Sequence, residues 1–206
     1  MPTATPAATP ATLPLQGLQA GFRRFTIREY HNLIRIGVLT EDDNLELIRG
    51  YLVHKMSRNP PHDSTLQRLN RLLLRAIPGG WDGRFQSAVT LDESEPEPDG
   101  AIVRGDGRTF DTRHPRADEI AIVIEVADST LAGDRQDKCE IYAEAGIPEY
   151  WIVNLVDNVI EVYTSPQPTP SGVRYAARQN YGYGTQVPLR LDGVHTADIA
   201  ADDVLP

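Results

Sequence analysis

Residues 120–153 read IAIVIEVADSTLAGDRQDKCEIYAEAGIPEYWIV and predict a strand, a helix and a second strand. Residues 120–126 form a continuous apolar run, which is typical of a central strand buried on both faces. The helix begins near Asp134 and ends at Gly146, where glycine can stop it. Residues 150–153 are the next apolar run. A strand, a helix and a strand in this order favour a parallel crossover, so the stretch predicts an α/β domain.

Lys138 lies on the apolar face of that predicted helix. At about 100° per residue, Ile141, Tyr142 and Ala145 form an apolar stripe, and Lys138 falls in its middle. An ammonium on a buried face costs free energy unless an anionic group meets it. The sequence therefore predicts a carboxylate partner for Lys138.

Asp99 and Glu125 are the candidate partners. Asp99 opens a predicted strand, residues 99–104, and Glu125 nearly closes the next one. Antiparallel neighbours place the start of one strand beside the end of the other, at the edge where the Lys138 helix begins. Two carboxylates suit a hard cation such as Mg²⁺, and the lysine could orient or deprotonate a water or stabilise charge on phosphorus. Singly, Asp99 could be a turn residue, Glu125 a structural ion-pair partner, and Lys138 a side chain that reaches solvent.

The rest of the chain supplies further elements. Thr26 and Glu29 predict a capping box for a first helix, and a hairpin is predicted around Arg49 and Gly50. A second helix is predicted to begin near Asp63 or Ser64. Weaker strands are predicted at residues 84–91, 159–164 and 173–177, the last two separated by the prolines of residues 166–170. Together these elements predict a mixed α/β fold.

Composition bounds the class of protein. The chain has 206 residues, of which 40% are hydrophobic and 24% charged, and these are globular values. Residues 1–21 are rich in Pro, Ala and Thr and are predicted to be a disordered or loosely packed tail. They do not have the pattern of a secretion signal. A single domain is predicted over residues 22–206. One cysteine, Cys139, excludes an internal disulfide framework, and it lies away from the apolar stripe. A cytoplasmic location is expected.

Charge argues against a protein that binds nucleic acid strongly and constitutively, because the formal net charge is -9. It does not exclude a nuclease, whose catalytic carboxylates add negative charge. The second helix carries three arginines opposite its apolar face, Arg68, Arg71 and Arg75. They are candidate contacts for a DNA backbone, and a solvated helix face is the alternative.

The sequence also resembles a known family. The shared residues are Gln86 with Ser87, residues 94–99, Glu125 with Val126, residues 128–131, Asp134 with Arg135, Lys138, and residues 142–153 with the run AGIPEYWIV; further matches are residues 45–48, Gly50 and His62. They resemble the bacterial Uma-two family, restriction-endonuclease-like proteins of the PD-(D/E)XK nuclease superfamily. The resemblance implies a restriction-endonuclease-like αβββαβ core with a mixed central sheet and extra β elements at both ends.

The resemblance also implies roles for single residues. Asp99 and Glu125 correspond to the metal ligands, and Glu46 to a recurrent acid of the family. The superfamily lysine usually follows the second acid by two residues, where this chain has Ala127, and Lys138 is expected to replace it. His62 and Gln86 are accessory candidates, although Glu46 and His62 each have a purely structural alternative.

These inferences predict an endonuclease that hydrolyses phosphodiester bonds in DNA with Mg²⁺ or Mn²⁺ and acts as a homodimer. The alternative is a catalytically silent nuclease fold that serves dimerisation or partner binding. An RNA or a structured nucleic acid also remains open as the substrate.

Overall fold

A computed structural model describes residues 22–206. The predicted tail, residues 1–21, lies outside the described residues, and the division into a tail and one domain stays a prediction. The first helices and strands are α1 (Ile27–Arg35), β1 (Leu45–Ile48), β2 (Tyr51–His54), α2 (Pro60–Ala76), β3 (Trp81–Phe85), β4 (Gly100–Arg104) and β5 (Ile120–Ala127). Helix α3 has three continuous segments, Leu131–Gly133, the π-helical Asp134–Lys138 and Cys139–Glu144. The remainder are β6 (Glu149–Asn154), β7 (Val159–Thr169), β8 (Gly172–Tyr181), β9 (Gln186–Leu191), β10 (Val194–Ala200) and α4 (Ala201–Val204).

A six-stranded mixed sheet with the order β3-β4-β5-β6-β7-β8 forms the centre of the fold. Strands β3, β4 and β5 pair antiparallel, and β5 pairs parallel with β6. Helix α3 makes the crossover between β5 and β6. The predicted order of a helix, three strands, a helix and a strand is therefore confirmed as α2-β3-β4-β5-α3-β6.

The two faces of the sheet carry different layers. Ile122 and Ile124 of β5 pack against α2 and the C-terminal β9, β10 and α4. Val123 and Ala127, on the other face, pack against α3. Glu125 shares the alternation of Val123 and Ala127, so its carboxylate is directed towards α3.

The N-terminal elements follow the local sequence signals. The Thr26 hydroxyl accepts from the Glu29 backbone N–H, and the Glu29 carboxylate accepts from the Thr26 N–H, which confirms the capping box. Arg49 and Gly50 join β1 to β2 with φ values of 50° and 80°. Positive φ at both positions is the requirement of a two-residue turn that matches the strand twist. The hairpin prediction is confirmed.

The prediction for the start of α2 was wrong. The helix begins at Pro60, and Asn59 caps it by accepting from the His62 backbone N–H at 3.1 Å. Proline is suited to the first helical turn, since those N–H groups have no partner within the helix. The helix therefore starts before Asp63 and Ser64, and His62 lies in its first turn.

Other boundaries also differ from the predictions. Strand β3 ends at Phe85, because Gln86 takes a left-handed φ of 49°, and it does not extend to residue 91. Strand β7 continues through Pro166 and Pro168. It can do so because β6 pairs with β7 only as far as Thr164, so the missing proline N–H groups are not needed there.

Cys139 is buried and does not lie away from the core. Its position follows the π-helical turn before it, which rotates the faces of α3 relative to an uninterrupted α-helix. Within residues 22–206, no helix is both long and apolar enough to cross a bilayer.

Candidate active site

A cavity of about 420 Å³ opens at the edge of the sheet where β4 begins and β5 ends. Its walls come from the β1–β2 hairpin, residues 55–59, the first turn of α2 and the beginning of α3. Six side chains selected from the sequence line it: Glu46, His62, Gln86, Asp99, Glu125 and Lys138. The fold thus brings together residues that are widely separated in the chain.

Lys138 points into this cavity, as the amphipathic pattern predicts. Its Nζ lies 3.2 Å from Glu125 Oε1 and 3.4 Å from Glu46 Oε2, and its side chain is 16% exposed. Burial alone would lower the pKa of Lys138. Glu125 and Glu46 outweigh that effect and hold the pKa above its usual value. The ammonium therefore stays protonated at neutral pH and links the two carboxylates.

Glu125 is 7% exposed at the end of β5. Its Oε1 accepts a hydrogen bond of 2.7 Å from the Tyr142 hydroxyl, in addition to the Lys138 contact. Burial raises the pKa of Glu125 above its usual value; Lys138 opposes the rise, and the carboxylates of Asp134 and Asp99 add to it. The site therefore holds this carboxyl group in a strongly anionic environment.

Asp99 lies beside Glu125, because Gly100 of β4 pairs with Ile124 of β5. Its Oδ2 accepts from the Val126 backbone N–H at 2.8 Å and from His62 Nε2 at 3.0 Å. Burial would lower the pKa of His62, but the hydrogen bond to Asp99 raises it above its usual value. The start of α2 therefore orients the Asp99 carboxylate through His62.

Glu46 comes from the hairpin. It is 8% exposed, and its Oε2 accepts from the Glu97 backbone N–H at 3.1 Å as well as contacting Lys138. The alternative of a solvent-facing strand residue is wrong, since β1 turns this side chain towards the cavity. Gln86 also lines the cavity, and its backbone N–H donates to the Asp99 carbonyl at 3.1 Å.

Asp134 also lines the cavity, at the position where the sequence predicts that the helix begins. Its carboxylate is buried, with 6% exposure, and burial raises its pKa to about 6. The available signal was its position four residues before Lys138, on the same side of the helix.

The three arginines of α2 do not line the cavity. Arg68 donates to the Val204 carbonyl at 2.9 Å and so connects α2 to α4. Arg71 and Arg75 are exposed. The basic residues that line the cavity besides Lys138 are Lys55 and Arg58, in the segment between β2 and α2. Lys55 and Lys138 are the two lysines of the chain.

The donor set of the cavity fits a hard divalent cation. Asp99, Glu125, Glu46 and Asp134 offer carboxylate oxygens, which Mg²⁺ and Mn²⁺ prefer. One of these oxygens, Asp134 Oδ2, is buried without a hydrogen-bond partner among the described residues. In residues 22–206, no three His, Cys, Asp or Glu side chains already stand in a metal-binding cluster. In this arrangement Lys138 and Tyr142 bind Glu125, and His62 binds Asp99.

Comparison with known proteins agrees with this architecture. A solved structure from Anabaena variabilis, described as "a putative nuclease belonging to DUF820", superimposes with a TM-score of 0.62 and 13% sequence identity. The match covers 87% of this chain and 97% of that chain. No curated protein matches the sequence. The Uma2 family model, described as "Putative restriction endonuclease", matches residues 27–191. The chain therefore belongs to the Uma2 family.

Proposed function

We propose that this protein is a divalent-metal-dependent endonuclease that hydrolyses phosphodiester bonds in DNA. The family and the nuclease-like fold support a nuclease. One observation carries the finer proposal: the buried ammonium of Lys138 lies between Glu125 and Glu46 in a cavity that Asp99 also lines. A metal cation held by two acids, together with a buried lysine, can supply the charge stabilisation and the activated water that phosphodiester hydrolysis uses.

Asp99 and Glu125 are the proposed ligands of the Mg²⁺ or Mn²⁺ ion. When bound, such an ion polarises a phosphoryl oxygen and lowers the pKa of a coordinated water. Asp99 is held by His62 and the Val126 N–H, and Glu125 by Tyr142. These contacts fix the orientation of both carboxylates before a substrate arrives, which reduces the reorganisation needed during the reaction.

Lys138 is proposed as the catalytic cation. Because Glu125 and Glu46 raise its pKa, the ammonium retains its proton at neutral pH. That favours stabilisation of negative charge on the phosphoryl oxygens, or orientation of the attacking water, over removal of a proton from that water. Glu46 then serves mainly to position Lys138, since its Oε2 contacts the lysine Nζ directly.

The substrate would reach this centre past the segment between β2 and α2. Lys55 and Arg58 line the cavity there, although Lys55 is paired with Glu97 at 2.6 Å. Their positive charges offer local attraction for a phosphate backbone on a chain whose net charge is -9. Two copies acting on opposite strands would cut a duplex, which motivates the proposed homodimer.

The test is cleavage of supercoiled plasmid DNA with Mg²⁺ or Mn²⁺, and with EDTA as the metal-free control. We expect the wild-type protein to nick or cut the plasmid, and Asp99→Asn to lose the activity while its circular dichroism spectrum is unchanged. Asp137→Asn removes the same charge from the exposed rim of the cavity and should remain active. Activity that survives in Asp99→Asn would refute the assignment of the site.

The same assay with single-stranded RNA and branched DNA decides the substrate class, because faster cleavage of either would contradict a duplex DNA substrate. Calorimetric titration with Mn²⁺ distinguishes a metal-dependent nuclease from a catalytically silent nuclease fold. A wild-type protein that binds no Mn²⁺ and cleaves nothing would support the module instead.

A further inference from the structure

The role of Asp134 is not explained by the contacts that hold the other acids. Its Oδ2 is buried and has no hydrogen-bond partner among the described residues, and its side chain lines the same cavity. An unsatisfied buried polar group destabilises the folded state, and a charged one does so more strongly. A folded protein seldom retains such a group without a ligand or function for it.

Asp134 is not the counter-ion of Lys138. The lysine ammonium forms its ion pairs with Glu125 and Glu46, and neither Asp134 oxygen lies within ion-pair distance of it. The cavity therefore holds four buried or nearly buried carboxylates, Glu46, Asp99, Glu125 and Asp134, against one buried ammonium and His62. This excess of negative charge is the kind that a divalent cation offsets.

Two hydrogen bonds hold the backbone at Asp134. The Cys139 N–H donates to the Asp134 carbonyl, an i to i+5 bond that defines the π-helical turn. The buried Tyr150 hydroxyl donates to the same carbonyl at 3.2 Å. Two donors thus fix the carbonyl of Asp134, and the side chains of Asp134 and Lys138, at the two ends of the turn, both line the cavity. Single π-helical turns within α-helices often occur at functional sites.

We propose that Asp134 is a third carboxylate ligand of the divalent cation, alongside Asp99 and Glu125. This inference rests on the proposed function, because it concerns the same cation. Helix α3 would then contribute two groups to the site. Asp134, at the start of the π-helical turn, binds the cation, and Lys138, at the end of that turn, supplies the ammonium. Binding of the cation would then satisfy the orphaned Asp134 oxygen.

The test is Mn²⁺ binding to Asp134→Asn, measured by calorimetry, with thermal unfolding in the presence and absence of Mn²⁺. Asparagine keeps the shape of the side chain but removes its charge. We expect the affinity for Mn²⁺ to fall roughly tenfold or more, because loss of a ligand should cost at least as much as loss of a residue that only orients one. Without Mn²⁺, the melting temperature should stay equal or rise, since repulsion of Glu125 and Asp99 is relieved.

Asp137→Asn is the matched control, because Asp137 lies on the same helix and is exposed, with no hydrogen bond or ion pair among the described side chains. It should bind Mn²⁺ within about twofold of the wild type, a free-energy difference of roughly 0.4 kcal/mol. Equal affinities of Asp134→Asn and Asp137→Asn would overturn the inference. So would an Asp134→Asn protein that unfolds or melts far lower without Mn²⁺, because the carboxylate would then be structural. If the wild type itself binds no Mn²⁺, the proposed function fails as well.

Discussion

Lys138 Nζ lies 3.2 Å from Glu125 Oε1, although the two residues are separated by 13 positions in the chain. The position two residues after Glu125 is occupied by Ala127, which is fully buried against α3. Helix α3 packs on the face of β5 that carries Glu125, and Lys138 of this helix therefore places its ammonium beside the Glu125 carboxylate. The Lys138–Glu125 contact therefore joins α3 to the end of β5 across the helix–sheet interface.

Removing this ammonium should destabilise the protein as well as inactivate it. Lys138→Met leaves Glu125 and Glu46 buried without their cation, and breaking a buried pair in this way costs about 3–5 kcal/mol. Denaturation with urea at neutral pH measures the loss, and plasmid cleavage measures the activity. Lys55→Met is the control, since Lys55 lines the same cavity but pairs with the partly exposed Glu97. Equal stability of the two variants would contradict the prediction.

Tyr142 is expected to act through Glu125. Its hydroxyl is fully buried and donates to Glu125 Oε1 at 2.7 Å. Tyr142→Phe should lower the free energy of unfolding by about 1–3 kcal/mol, because a hydrogen bond to a buried charged group is lost. It should also weaken Mn²⁺ binding, which calorimetry measures. Tyr175→Phe is a suitable control, since that hydroxyl donates to the Ile147 carbonyl, which is not a cavity group. Unchanged Mn²⁺ binding in Tyr142→Phe would contradict a positioning role.

The buried carboxylate of Glu161 should make the stability of the protein depend on pH. Burial would raise the pKa of Glu161, but hydrogen bonds from Arg135, Asn154 and Tyr163 outweigh it and lower the pKa below the ordinary 4.5. A lowered pKa in the folded state means stabilisation that is present above the unfolded value and is lost as the pH falls through the folded one. Glu161→Gln should therefore cost about 3 kcal/mol at pH 7. The difference from the wild type should shrink below about pH 4.

Chemical denaturation of both proteins at several pH values tests this linkage. Asp198→Asn, at an exposed acid, should show the wild-type pH dependence. A difference between wild type and Glu161→Gln that is constant with pH would show that packing, and not ionisation, explains the loss.

Contacts to nucleic acid should depend on the cavity more than on the exposed face of α2. Arg58 lines the cavity, whereas Arg75 is exposed elsewhere on the helix. We expect Arg58→Ala to weaken binding to a labelled DNA duplex and to reduce the slope of log K against log salt by about 0.9. Arg75→Ala should leave both unchanged. Fluorescence anisotropy in EDTA measures the binding. Equal effects of the two substitutions would indicate that the exposed face of α2 also contacts the DNA.

The core of this arrangement could be predicted from short-range signals. The apolar run of β5 and the glycine after α3 define the crossover, and antiparallel pairing of β4 with β5 places Asp99 beside Glu125. Lys138 could be predicted because its helical position conflicts with its charge. These inferences need only periodicity and short connections, which the sequence contains directly.

The remaining features depend on tertiary structure. The burial of Cys139 follows a π-helical turn, whereas hydrophobic periodicity assumes a regular α-helix. Asn59 caps α2 ahead of two prolines, whereas Asp63 and Ser64 are equally suitable cap residues by type. The inward direction of Glu46 follows from how the hairpin docks through the bridge between Leu47 and Glu95. A four-residue strand has too short a pattern to predict which face is buried.

The prolines of β7 have a consequence for how the protein meets other chains. Beyond Thr164, β7 pairs with β8 alone, and Pro166 and Pro168 still keep their register opposite Tyr175 and Val173. The nitrogen atoms of these two prolines must then face away from β8, on the unpaired edge of β7. A further strand that paired with this edge would find no N–H donors at these positions. Unpaired strand edges invite aggregation by strand addition, and proline is a common protection. This part of the sheet is therefore a poor template for fibril growth, even though it extends beyond its neighbour.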